Sequence, residues 1–69
     1  MDKRIIKLTE LCTLSTTVGL SMENHNEKKR LVDELVGDGL MTFDGMFHFI
    51  NEEDRNYFND EINKVKGNK

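Results

Sequence analysis

The side chains best suited to chemistry fall in a few short runs. Lys28-Lys29-Arg30 is the dense basic run of the chain and could meet phosphates or carboxylates. Its bland counterpart is a solvated helix face, on which Glu27, Asp33 and Glu34 neutralise it by pairing at three or four residues' spacing. Cys12, His25 and His48 are metal-ligand types, but they lack the close paired spacing of structural zinc sites, so no metal is expected. His25 reads instead as a surface residue near a helix start, and Cys12 as a small buried hydrophobe. Ser15-Thr16-Thr17 offers hydroxyls and Glu52-Glu53-Asp54 offers carboxylates, the raw material of nucleophilic and acid-base catalysis. Neither has a motif around it: the hydroxyls suit a turn, and the acids suit the first turn of a helix. Gly37, Gly39 and Gly45 punctuate a helix end and a turn and build no phosphate-binding loop. No enzyme, no cofactor and no small-molecule substrate is therefore expected.

The chain around these runs is 69 residues, 36% hydrophobic and 33% charged, without proline or tryptophan. That is one domain, residues 1–69, with a core small enough that a partner subunit would help to stabilise it. The lone Cys12 can form no internal disulfide. The net charge of −3 excludes a polycation that wraps nucleic acid, yet it is unevenly placed. Lys3, Arg4, Lys7, Lys28, Lys29 and Arg30 balance Asp2, Glu10, Glu23, Glu27, Asp33 and Glu34, so residues 1–35 are neutral and the whole excess falls on residues 36–69. An anion-binding surface belongs in the first half. The opening Met1-Asp2-Lys3-Arg4 is charged and Lys7 interrupts Ile5-Ile6, so no signal peptide, no membrane span and a cytoplasmic location are expected.

Hydrophobic spacing supplies the elements that must position these residues. Ile5, Leu8 and Cys12, widened by Ile6 and Leu11, predict an amphipathic helix over 3–12. The hydroxyl-rich run that follows reads as a short second helix over about 15–19, ending at Gly19, or equally as an irregular segment. Asn24 with Glu27 forms a capping-box-like start to a third helix, 24–36, whose inner face is Leu31, Val32, Leu35 and Val36 and whose stop is Gly37-Asp38-Gly39. Asp44-Gly45 between two apolar runs predicts a hairpin over 40–50 with a two-residue turn. That register pairs Phe43 with Met46, Met41 with His48 and Leu40 with Phe49. One face then shows Leu40, Thr42, Phe47 and Phe49, and the other Met41, Phe43, Met46, His48 and Ile50, so both faces are largely apolar. Asn51 caps a last helix with acids first and Lys64 and Lys66 at its end, packing through Phe58, Ile62 and Val65 beside Tyr57; Gly67-Asn68-Lys69 is expected to fray.

Leu31-Val32, Leu35, Gly39-Leu40 and the strands around Asp44-Gly45 look like the end of a recognition helix, its junction into a strand, and a short wing. In the order helix, short helix, helix, hairpin, helix, they resemble a minimal winged-helix domain, the helix-turn-helix variant of many small repressors and phage regulators. Gly19-Leu20-Ser21 looks like the tight turn of that family. The stretch from it to the helix is longer than usual, and Lys28 stands where the family places a buried apolar residue. The resemblance implies a small α+β domain of three to four helices with a two-stranded wing. It also implies a dimeric, non-enzymatic DNA-binding transcription regulator with helix 24–36 in the major groove. Asn24, Asn26, Lys29 and Arg30, with Lys28 in the same cluster, would meet bases and phosphates, and Lys3, Arg4 and Lys7 the backbone.

The negative charge and the two-sided hairpin carry a second expectation. It is a protein-binding module, of the kind of a phage inhibitor or adaptor, docking a partner through Met41, Phe43, Met46, His48 and Ile50. A third use of that face is self-association into a homodimer.

Overall fold

The computed structural model describes residues 1–67 and contains α1 (Lys3–Thr17), α2 (Met22–Gly37), β1 (Met41–Phe43), β2 (Phe47–Phe49) and α3 (Glu52–Gly67). This is the expected α+β domain of helices and one antiparallel hairpin, with three helices and no fourth among the described residues. The fraying expected of Asn68 and Lys69 lies outside the described residues, and Gly67 still belongs to α3.

The short helix expected over 15–19 does not form, because α1 continues through it. Thr13, Thr16 and Thr17 turn their hydroxyls inward and donate to Glu10 O, Cys12 O and Thr13 O at 2.7, 3.1 and 3.0 Å. A hydroxyl satisfied by the preceding turn no longer competes with the helix backbone. The stop is at Gly19, as expected: its φ is +86°, and its N–H and that of Val18 both donate to Leu14 O. At the other end, Asp2 caps the helix by accepting from Arg4 N at 2.8 Å.

α2 begins at Met22, earlier than the Asn24 start expected, because Ser21 is the cap and its Oγ accepts from Asn24 N. The extra residues shorten the turn after Gly19. α2 ends on a Schellman arrangement: Gly39, at φ +77°, donates to Val36 O, and Leu40 donates to Leu35 O.

The hairpin is shifted by one residue from the expected register. Met41 pairs with Phe49, Thr42 with His48 and Phe43 with Phe47. Asp44-Gly45-Met46 forms the connection, with Gly45 at φ +103° and Met46 N–H donating to Asp44 Oδ1. A one-residue shift moves a whole strand's side chains to the other face. Met41, Phe43, Phe47 and Phe49 therefore share one face, and Thr42 and exposed His48 share the other. The two-sided apolar hairpin is overturned.

Ile5, Leu8, Leu11 and Cys12 of α1, Leu31 and Leu35 of α2, and Met41 and Phe49 form the core, joined by Leu20, Val32, Leu40, Phe47, Phe58 and Ile62. α1 packs on both α2 and α3, β1 on α2 and β2 on α3, whereas the Cα traces of α2 and α3 come nowhere within 8 Å of each other. The hairpin thus closes the side that α1 leaves open. Thr9, buried inside α1, donates its hydroxyl to Ile5 O. Asn51 Oδ1 accepts from Glu53 N at 2.8 Å, which starts α3 where expected.

Candidate functional site

The basic residues singled out above divide into those already paired and those left open. Arg4 is paired: it meets Asp2 at 2.9 Å, Asp38 at 2.6 Å and Glu34 at 3.6 Å, tying the start of α1 to the end of α2. The Arg4 bonds hold the Asp2 carboxyl down at about 2. Arg4 is therefore a fastener between two helices, not the open backbone contact expected. Arg30 lies between Glu27 and Glu34, each at 3.8 Å, and Lys7 lies 3.9 Å from Glu10. The helical-pairing alternative describes Arg30 well. Among the described residues, Lys3, Lys28 and Lys29 form no ion pair within the domain, so the basic run splits after Lys29.

The split follows the geometry of α2. Its acids Glu27 and Glu34 lie with Arg30 on the flank reached by Arg4. Asn26 is on this side too, lining a shallow concavity with Glu23, Glu27 and Arg30. On the flank toward the hairpin, His25, Lys28, Lys29, Val32 and Asp33 face Phe43 and Phe47 across an open groove of about 360 Å³. Lys28 Nζ stands 5.8 Å above the centre of the Phe47 ring. Phe43 is 52% exposed, and its ring centre is 5.2 Å from that of Phe47. Phe58 of α3 backs Phe47 edge-on at 5.6 Å, which fixes the groove wall.

The structure brings Lys28, Lys29 and Phe43 together and leaves the other expected residues apart. Asn24 is half-buried in the first turn of α2, while Lys3 and Lys7 are exposed on α1. Met41 is 1% exposed and belongs to the core, so it cannot meet a partner as expected. Met46 and Ile50 are exposed, and His48 points away from the groove, its Nε2 3.0 Å from Asp44 Oδ1. That bond, with the Met46 amide, holds the Asp44 carboxyl below the usual carboxylate range. Val32, Phe47 and the place of His25 were missed. Val32 sits four residues after Lys28 and so on its flank, but Phe47 was hidden by the register error.

Burial raises the Cys12 thiol pKa, which suits a packing role. Among the described residues no three His, Cys, Asp or Glu side chains are grouped to hold a metal, and no helix is long and apolar enough to cross a membrane. No family model, curated protein or solved structure matches the chain.

Proposed function

We propose that the chain is a non-enzymatic interaction module that docks a protein segment in the groove between α2 and the hairpin. The observation that carries this reading is the pairing of an apolar floor, Val32, Phe43 and Phe47, with the open cations Lys28 and Lys29 on one rim. Apolar side chains rimmed by charge suit a protein partner, whose side chains fill the floor while its polar groups meet the rim. Affinity capture from lysate, with and without nuclease, tests it. The expected capture is nuclease-resistant and is lost in Phe43→Asp, a substitution at a half-exposed site that leaves the fold intact by circular dichroism. Capture that nuclease abolishes, or that Phe43→Asp leaves unchanged, overturns it.

A dimeric winged-helix DNA regulator is the second reading, favoured by the order of α1, α2 and hairpin and by the same open lysines on an exposed α2. Arg4 and Arg30 are already paired, and Glu23, Glu27, Asp33 and Glu34 share α2 with the lysines. A duplex flanks an inserted helix with phosphates on both sides, so those acids oppose it. The nuclease arm of the same capture separates the two readings.

A further inference from the structure

We infer that the segment docked in the α2–hairpin groove is acidic and amphipathic, with an apolar side chain over Val32 and Phe43 and carboxylates against Lys28 and Lys29. This rests on the protein-docking reading above and adds the chemistry of the partner. The argument begins with charge. The chain has three more acids than bases, yet Lys28 and Lys29 have no carboxylate within 4.0 Å among the described residues. Arg4, Lys7, Arg30 and Lys64 do, and of the other described cations without one, Lys3, Arg55 and Lys66, none lines the groove or has a second open cation beside it in sequence. Two adjacent cations left open in an acidic chain make the groove rim locally complementary to an anionic partner.

Position narrows the partner further. Lys28 is half-buried with its ammonium 5.8 Å from the centre of the Phe47 ring, which places its charge at the groove wall beside the apolar floor. The groove, at about 360 Å³ and open to solvent, is at the small end of ligand sites and takes one or two apolar side chains of a short segment. Asp33 lies on the same groove and repels carboxylates there, so the partner's acids are confined to the Lys28–Lys29 rim. The partner thus carries acids flanking an aromatic or branched aliphatic anchor.

The test uses the full chain, ¹⁵N-labelled, and three capped hexapeptides. The first has a leucine and a phenylalanine between pairs of aspartates, the second has lysines for the aspartates, and the third has serines for the apolar pair. Only the first is expected to shift the amide signals of Lys28, Lys29, Val32, Phe43 and Phe47. Added salt should weaken the effect, and Lys28→Gln with Lys29→Glu should lower affinity about tenfold. Lys28→Gln keeps a stem over Phe47, and an unchanged spectrum elsewhere confirms the fold. Equal shifts with the lysine peptide would overturn the acidic partner while leaving a protein-docking groove. Equal shifts with the serine peptide would overturn the apolar anchor. Shifts with duplex DNA and with none of the peptides would remove both this inference and the docking reading. The chain's own exposed Ile50 precedes Glu52 and Glu53. A concentration-dependent mass in sedimentation, lost in the lysine variant, would assign the groove to a second copy and overturn a separate partner.

Discussion

Arg4 and Lys28 are both cations of the neutral first half of the chain, but their surroundings give them different work. The Arg4 fork grips Asp2 through Nε at 3.1 Å and Nη2 at 2.9 Å while Nη1 reaches Asp38, so the start of α1 and the end of α2 meet on one guanidinium. Lys28 has an aromatic ring and no acid. The Arg4 cluster makes a pH prediction. The Asp2 carboxyl titrates at about 2 in the folded chain, against 3.8 when unperturbed. A carboxyl with a lowered folded pKa stabilises the fold fully above its unfolded value, and that contribution is lost as pH falls through the folded value. The Asp2→Asn variant should therefore melt below the parent at pH 5, with the gap closing between pH 3.8 and about 2. Because Asp2 is about a third exposed, salt should shrink the gap too. Thermal melts by circular dichroism across this range check it, and a gap that does not change with pH would count against the Arg4 cluster. Asp44, also lowered, is common to both proteins and cancels in the difference.

At the scale of elements, the hydrophobic pattern located each helix and the hairpin, and the errors arose where two local solutions use the same residues. Thr13, Thr16 and Thr17 could build a turn or bond back into a helix, and only the continuation of α1 to Thr17 decides between them. Ser21 and Asn24 are both good caps. Ser21 is the cap, its Oγ accepting from Asn24 N, and burial does not select it, because the added Met22 is 77% exposed; the periodicity of Leu31 and Leu35 has no means to show the choice. The hairpin error reached the site. Asp44-Gly45 suits both a two-residue turn and a longer connection with glycine alone at positive φ, and among the described residues none but glycine has positive φ. The observed register gathers Met41, Phe43, Phe47 and Phe49 on one face, so burial selects it over the local turn signal. Lys28 and Lys29 were thus legible as a basic run, whereas their apolar floor depended on that register. Gly45→Ala should lower stability by about 1 kcal/mol, because alanine is strained at φ +103° although the space beside it is open. Urea unfolding measures this. Strong Hα–Hα contacts between Thr42 and Phe47, in place of those between Met41 and Phe49 and between Phe43 and Phe47, would restore the two-residue turn.

The whole molecule is arranged around α1, with α2 and α3 on separate sides and the hairpin spanning between them. With no Cα–Cα approach within 8 Å between α2 and α3, the hairpin joins the two, and the link from the hairpin to α3 helps to fix the groove wall opposite α2. Phe58 is that link, with its ring 5.6 Å from Phe47 and 5.2 Å from Phe49. A domain of this length has a total stability of about 3–10 kcal/mol, so one such cluster is a large share of it. Truncating a wholly buried phenylalanine costs about 3–5 kcal/mol, and Phe58 is only half-buried. Phe58→Ala should cost about 2–3 kcal/mol and lower the melting temperature by roughly 10–20 °C. Phe58→Leu, which refills most of the volume, should recover about half of the loss. Below the lowered melting temperature, Phe58→Ala should also weaken any ligand of the α2–hairpin groove, because Phe47 loses its backing, even though Phe58 itself does not line the groove. Paired melts and titrations of the two variants measure both effects. A parent-like affinity in a destabilised Phe58→Ala would mean that α2 alone holds the site, and the hairpin would then be only a closure of the core.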